Sequence, residues 1–413
     1  MSTRRHVLVG GGVAAAATAT HLRKHGFDGE IVLVGDEPQP PYERPPLSKD
    51  FLLGTTEFEE FQVRPPAWYD EQSVDLRVGI RVTAIDVPGR SVTLSTGERL
   101  GYDGLVLATG VRPRRLPGFD GDRVHYLRTA ADSQRLRAQL AESERVVVIG
   151  AGFIGCEVAA AAVGLGKQVT IFDPAPTPLA RVLGATIGSV MTGIHRSRGV
   201  QIRAGEYISE LRHTGDGMLL TSNLGHRVEC DLVVVGIGCE PNVELAAEAG
   251  LATDGGIVVD EYGRTSAPDI YAAGDVAAQY HPVYGRTIRV EHHDNALRQG
   301  ANVALNLTGS AEPFAEAHWF WSDQYEHSLQ SVGRPADLED LVIRGSLEDH
   351  DFSAFSLVDG RIQAVISLNR PRDVLEVRRM LFAPHEVTAE QLRDESVPLK
   401  RLIPRSPRAT ARA

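Results

Sequence analysis

Residues 150–155, Gly150-Ala151-Gly152-Phe153-Ile154-Gly155, spell a complete G-x-G-x-x-G. The chemistry that loop supports is the holding of a pyrophosphate. The first glycine makes the tight turn, the second lets the backbone approach the phosphates, and the third lets helix and strand pack closely. The phosphates then rest on the free N–H groups at the helix start. The context fits: Val146-Val147-Val148-Ile149 precedes as an apolar strand, and a small-residue helical run follows. The next apolar run, Val169-Thr170-Ile171-Phe172, ends at Asp173. A carboxylate so placed can accept both ribose hydroxyls and repels a 2′-phosphate, and Pro174-Ala175 puts no arginine directly after it. The arrangement reads as a site for NADH rather than NADPH.

A second loop, Gly10-Gly11-Gly12-Val13-Ala14-Ala15, has the same plan, with Ala15 in place of the third glycine. One methyl is a change the motif tolerates. Asp36, after the apolar run 31–34, is its ribose-binding acid. Farther on, Tyr271-Ala272-Ala273-Gly274-Asp275 puts an aspartate where a strand gives way to a helix. There a carboxylate can bond a ribityl hydroxyl while helix N–H groups face phosphate. Taken alone, Gly-Asp is also a common turn.

The elements that must carry these loops repeat within the chain. Each loop follows a short apolar strand, and each unit closes with a matching strand, 102–110 in the first and 230–238 in the second. Alternating strand and helix patterns imply parallel sheets with crossover helices. The fold class is therefore α/β, with two Rossmann-like dinucleotide-binding domains. Residues 75–100 read as a β-meander broken by Pro88-Gly89 and Thr96-Gly97. From about 316 the texture changes to that of a C-terminal α+β domain. Trp319, Phe320, Trp321 and Tyr325 cluster, strands are expected over 352–358 and 362–366, and a helix near 374–381. Trp319 and Trp321 are expected to face different surroundings, one of them the core, with a core role for both as the alternative. The domain limits read as 1–112 with 242–315, 113–241, 316–405, and a tail at 406–413.

Composition limits the function classes. The 413 residues are 42% hydrophobic and carry a net charge of −11, which disfavours a general nucleic-acid binder. The three cysteines, Cys156, Cys230 and Cys239, form no C-x-x-C or C-x-x-x-x-C. Disulfide-redox chemistry and cysteine metal sites lack their ligands, and no metal is expected. The odd count suits a reducing, cytoplasmic setting. Arg4-Arg5 before the apolar run 7–19 imitates a twin-arginine leader, but a strand, glycine turn and helix account for the same residues. No run reaches the ~18 apolar residues of a membrane span.

These residues together resemble the family of FAD-dependent, NADH-dependent ferredoxin and rubredoxin reductases, of the putidaredoxin reductase and dioxygenase reductase kind. The resemblance runs from about 5 to 382. Its most specific pieces are Pro45-Pro46-Leu47-Ser48-Lys49, Ala108-Thr109-Gly110, 150–157, 271–275, 291–299 and Phe320-Trp321-Ser322-Asp323-Gln324. It implies an FAD domain in two segments, an inserted NADH domain, and a C-terminal domain over the flavin. In the FAD set, Gly10, Gly12, Ala14 and Asp36 would hold the adenosine and pyrophosphate. Val82, Ala108, Thr109, Gly110 and Arg128 would line the cleft. Gly274 and Asp275 would meet the ribityl chain, with Arg44, Glu291 and His293 completing the set. The NADH set would be Gly150, Gly152, Phe153, Ile154, Gly155, Asp173, Arg181 and Gly238, with Glu157 by the nicotinamide. Lys49 would approach the hydride-accepting flavin nitrogen, and Trp321 would reach the flavin from the last domain. Lys49, Glu157 and Trp321 are the implied catalytic residues. From the residues alone, Lys49 could equally be a surface lysine and Glu157 an acid suited to a helix start.

The implied activity is hydride transfer from NADH to FAD, then single-electron transfer to a [2Fe-2S] ferredoxin or rubredoxin serving a cytochrome P450 or Rieske-type oxygenase. The implied assembly is a monomer or weak dimer without nucleic-acid or membrane partners. Arg44, Arg298, Arg372, Arg378 and Arg379 could form a basic docking patch. His292-His293 stands where relatives often carry tryptophan at the second position, and Glu291-His292-His293-Asp294 is similar to apoptosis-inducing factor. That echo supplies one alternative, an NADH-binding flavoprotein without turnover. The other is an NADH oxidase or disulfide reductase, which needs a redox cysteine that 44–49 lacks.

Overall fold

The computed structural model describes residues 4–215 and 217–402. They form two compact units, and neither is continuous in sequence. The first comprises the chain up to Pro46, Thr56–Arg112 and Cys239–Glu316. The second comprises Leu47–Thr55, Pro113–Gly238 and the chain from Ala317 on. The short excursion Leu47–Thr55 thus belongs with the Gly150 loop and the C-terminal segment. The expected tail, 406–413, lies outside the described residues.

In the first unit, five parallel strands lie in the order Ile270–Ala272, Gly104–Leu107, Arg5–Val9, Glu30–Val34, Val74–Arg77. Their apolar runs suit a sheet covered on both faces, and Val7, Leu8, Leu33, Leu105, Val106 and Leu107 are fully buried. The run 7–19 is the central strand and the helix Val13–Lys24. That helix crosses His293–Leu307 closely. A Cβ on Gly300 would stand 2.3 Å from the Ala14 carbonyl, and Thr18 Oγ donates to the carbonyls of Ala14 and Gly300. The meander is shorter than expected. Val74–Arg77 joins the parallel sheet, and only Val82–Asp86, Ser91–Leu94 and Arg99–Gly101 form the antiparallel sheet.

The second unit repeats the plan, with parallel strands in the order Gln201–Ala204, Gln168–Asp173, Arg145–Ile149, Leu232–Val235, Val124–His125. The same unit holds a five-stranded antiparallel sheet in the order Trp319–Gln324, His327–Gly333, Arg361–Leu368, Asp351–Val358, Leu341–Ser346. The expected strands and the helix Pro371–Arg378 are present. Trp319 and Trp321 share a face, since residues two apart on a strand do, and their indoles stack with centroids 5.0 Å apart. Their surroundings still differ as expected: Trp319 packs against the core of the C-terminal segment, and Trp321 stands toward Lys49.

Candidate functional site

Both glycine loops are shaped for a group other than a side chain. Gly10 and Gly150 have φ of +123° and +101°. A Cβ on either would lie 2.1 Å from the Ala108 carbonyl oxygen or 2.3 Å from that of Gly236. No residue but glycine fits there. At the second glycines the situation reverses. A Cβ on Gly12 meets nothing within 4 Å, and one on Gly152 only the Gly236 carbonyl oxygen at 3.9 Å. Each of these glycines caps a twelve-residue helix without a side-chain cap, Val13–Lys24 and Phe153–Gly164. Open space over uncapped helix N–H groups is a pyrophosphate cradle, so the residues present fit a dinucleotide at each loop. The third positions differ. A Cβ on Gly155 would sit 2.0 Å from the Gly150 carbonyl oxygen, whereas Ala15 fits its methyl in full burial.

The first unit gathers most of the expected FAD residues around the Gly10 loop. Ala108 abuts Gly10, and Gly274, at φ +80°, packs against Ala14. The Gly274 N–H donates to Gln299 Oε1, with Asp275 half-buried beside it. Thr109 and Asn242 exchange hydrogen bonds of 2.8 and 2.7 Å, which pins the turn to Gly110. Gly35 packs on Gly11 and delivers Asp36, which is exposed and 3.5 Å from Arg81. Arg44 pairs with Glu37 at 2.7 Å and Tyr42 at 3.1 Å. His293 lies 3.7 Å from Glu43, whose carboxyl it holds below the ordinary range. Glu291 takes Arg289 at 2.6 Å and the Cys239 thiol at 2.8 Å. Val82 is buried in the core with Val92 and Leu94.

Lys49, Arg128 and Trp321, expected with the FAD set, stand in the second unit. Arg128 precedes the helix Ala130–Glu142. Of the expected NADH residues, all here, Phe153 packs edge-on against Phe320, while Ile154 and Arg181 are exposed. Gly238, at φ +95°, accepts from the Arg114 N–H. Asp173 reaches the loop itself. Its Oδ2 accepts the Ala151 N–H at 2.6 Å and its Oδ1 the Ala175 N–H at 2.7 Å.

The three expected catalytic residues converge. The turn Pro45–Ser48 is held where Ser133 Oγ donates to the Leu47 carbonyl, and the buried Phe51 and Leu52 anchor the chain beyond it. This places Lys49 Nζ 3.3 Å from Glu157 Oε1, 3.9 Å from Asp323 Oδ2 and 5.7 Å from the centre of the Trp321 ring. Lys49 is 15% exposed and Glu157 6%, so neither is a surface charge. The stack continues outward, with Trp321 on Trp319 and Arg378 5.1 Å over Trp319. Two residues that sequence reasoning missed complete the carboxylate's shell: Ser48 Oγ donates to Oε2 at 2.5 Å and Ser322 Oγ to Oε1 at 2.6 Å. Burial pushes the Glu157 carboxyl above the ordinary range, and Lys49 and the two hydroxyls oppose that rise.

No thiol joins this cluster in a reactive form. Cys156 and Cys230 are fully buried with their thiols pushed up by burial, Cys230 to about 12. None of the three cysteines forms a disulfide. Among the described residues, no helix is long and apolar enough to cross a membrane.

Comparison with known proteins agrees with this geometry. Residues 4–300 match the family described as pyridine nucleotide-disulphide oxidoreductase, and residues 319–403 match a reductase C-terminal domain. Rhodocoxin reductase of Rhodococcus erythropolis is 41% identical over 97% of this chain and 94% of its own length. The ferredoxin–NAD(+) reductase component of the anthranilate 1,2-dioxygenase system of Burkholderia cepacia is 43% identical over 98% of this chain and 100% of its own. Among solved structures, the covalent putidaredoxin reductase–putidaredoxin complex superposes with a TM-score of 0.93 at 40% identity, covering 97% of this chain and 98% of the matched one. With its two glycine cradles, its buried Lys49–Glu157 pair and these full-length likenesses, the chain belongs to the pyridine nucleotide-disulphide oxidoreductase family, within its FAD-dependent ferredoxin reductases.

Proposed function

We propose that this protein is an NADH-dependent ferredoxin reductase that passes electrons to a [2Fe-2S] ferredoxin feeding a cytochrome P450 or Rieske-type oxygenase. The observation that carries the reading is the meeting of the half-buried Lys49 and Trp321 with the buried Glu157 in a cluster without a reactive thiol. When bound, NADH supplies a hydride, and FAD accepts it and releases the electrons singly. The chain's residues do the rest. The Gly10 and Gly150 loops hold the two pyrophosphates, and Asp173 takes the ribose and repels a 2′-phosphate. Lys49 brings positive charge to the reacting end of the site, which favours any negative charge that develops there. Glu157 holds that ammonium in place, and Trp321 shields the pair from water. The division into an FAD domain, an NADH domain and a C-terminal domain is part of this proposal, as are the residue roles.

With no cysteine pair to reduce, electrons must leave for another molecule, which disfavours the disulfide reductase alternative. Three cysteines with no disulfide between them support a reducing cytoplasmic location. The test is NADH oxidation by the FAD-loaded protein, first with ferricyanide and then with cytochrome c plus an added [2Fe-2S] ferredoxin. Turnover of cytochrome c that depends on the ferredoxin supports the function. NADH bleaching the FAD absorbance while cytochrome c stays oxidised with every ferredoxin would favour the non-turnover alternative.

A further inference from the structure

Glu157 is the end of a longer chain of buried hydrogen bonds. Ser322 Oγ, which donates to Glu157 Oε1, also receives the side-chain N–H of Gln324 at 3.1 Å. The Gln324 carbonyl oxygen lies 3.0 Å from Nε2 of His195, and His195 Nδ1 lies 2.9 Å from the Tyr325 hydroxyl. Ser322, Gln324 and His195 are at most 1% exposed, and Tyr325 is half-buried. The chain links three segments: the helix Phe153–Gly164, the helix Ala180–Ser197 and the strand Trp319–Gln324.

The direction of every link follows from its neighbours. A carboxylate only accepts, so Ser322 donates to it and offers its lone pair to Gln324. Gln324 must then turn its NH₂ to Ser322 and its carbonyl to His195. That carbonyl requires a proton on Nε2 of His195. Burial lowers the histidine to about 4, so the ring is neutral and carries only that proton. Nδ1 is therefore bare and takes the Tyr325 hydroxyl proton. All four donors point toward Glu157. Tyr325 reaches His195 from a hairpin turn with φ +56°, a conformation an L residue with a bulky side chain rarely adopts. Strain of that kind persists where the surroundings over-determine it.

We propose that His195, Gln324 and Tyr325 are positioning residues that, through Ser322, fix the rotamer of Glu157 and hold its carboxylate charged beside Lys49. The reading of Glu157 as a nicotinamide-site residue is presumed here, and the test separates the two ideas. Aligned donors polarise one another, so the last hydroxyl in the row binds a charged oxygen more strongly than an isolated serine would. The other groups facing Glu157 are Lys49, with Asp323 behind it, and the Cys156 thiol beside it in the same helix. Those facing His195 and Tyr325 are the same Cys156 thiol, Arg198 over the Tyr325 ring, and Glu326, paired with Arg198.

The experiment follows the protonated-carboxyl infrared band of Glu157 in the FAD-loaded protein as pH varies, with Glu157→Gln identifying the band. His195→Leu should move its midpoint upward by a few tenths of a pH unit, roughly a twofold gain in proton affinity, because Ser322 still donates to Glu157 and only the strengthening that its aligned neighbours add is lost. Tyr325→Phe should move it the same way by less. His195→Gln, which can still donate and accept, should return the midpoint most of the way to its parent value. An unmoved midpoint in His195→Leu, or a His195→Gln shift as large as that of His195→Leu, overturns the proposal. If His195→Leu does not fold, Tyr325→Phe decides alone, and an unmoved midpoint there overturns it. The pH profile of FAD reduction by NADH is measured in parallel. An infrared shift without a kinetic one upholds the chain and removes Glu157 from the nicotinamide site.

Discussion

Replacing Lys49 by methionine keeps the length of the stem and removes the charge. At 3.3 Å and an effective dielectric constant of about 20, the ammonium attracts the Glu157 carboxylate by about 5 kcal/mol. Breaking a buried pair of this kind typically costs about 3–5 kcal/mol if the remaining charge stays. Glu157 can escape that cost by taking up a proton. Its carboxyl already titrates above the ordinary range through burial, and loss of Lys49 raises it further. Over the pH range where the native carboxyl is protonated and the unfolded one is not, the native state binds the extra proton. Stability then falls as pH rises, by about 1.4 kcal/mol per pH unit. In the parent protein Lys49 ends that fall at a lower pH. The deficit of Lys49→Met should therefore be smallest at the acid end of the range, grow with pH by up to about 1.4 kcal/mol per pH unit, and level off near 3–5 kcal/mol. Urea unfolding at pH 6, 7 and 8 measures it. Tryptophan fluorescence suits the assay, because two of the three tryptophans, Trp319 and Trp321, belong to the second unit. Adding Glu157→Gln should abolish the growth with pH. A deficit that is constant with pH, or larger at pH 6 than at pH 8, refutes the electrostatic account of this pair.

Four further outcomes are expected. Asp173→Asn should raise the KM for NADH about tenfold and narrow the preference over NADPH by about as much, since like charges across an interface cost several kcal/mol; initial rates with both cofactors measure this, and an unchanged ratio would exonerate the charge. Gly155→Ala should lose NADH affinity or fold poorly, because its methyl would sit 2.0 Å from the Gly150 carbonyl oxygen. Ala15→Gly should cost only about 1 kcal/mol of helix propensity and retain FAD, as thermal melts and flavin content would report. His6, 4% exposed and held to about 4 by burial, ionises near 6.5 once unfolded, so its stabilising contribution is present above that value and is lost as pH falls toward 4. Denaturation midpoints of His6→Leu between pH 7 and 4 should fall less steeply than the parent's, by about one proton's worth; an equal slope would show that His6 is not the group titrating.

Local sequence carried the loops and the sheets but little of what surrounds the carboxylate. A G-x-G-x-x-G with its answering acid lies within some two dozen residues, so strand, turn, helix and Asp173 could all be read from spacing. The continuous apolar runs at 5–9 and 145–149 announced buried parallel strands for the same reason. Ser48 and Ser322 meet Glu157 from 109 and 165 residues away, and a serine hydroxyl leaves no periodic trace. The affiliation of Leu47–Thr55 with the second unit is equally non-local. Residues 75–77 read as part of the meander because edge strands of parallel and antiparallel sheets share one alternation pattern. Trp319 and Trp321 lie on one face of their strand and still meet different neighbours, because the core ends between them.

Asp173 has a practical consequence for anyone redesigning cofactor choice. Its two oxygens already accept the backbone N–H groups of Ala151 and Ala175, so its rotamer is frozen before any ribose arrives. The carboxylate is masonry as well as a discriminator. It braces the turn after its strand against the rim of the glycine loop. An engineer who swaps it to admit a phosphorylated cofactor dismantles the brace along with the repulsion. Retargeting would then require rebuilding 173–175 as a new turn, with its own means of tying down the Ala151 N–H, before any added arginine could find a stable floor to stand on.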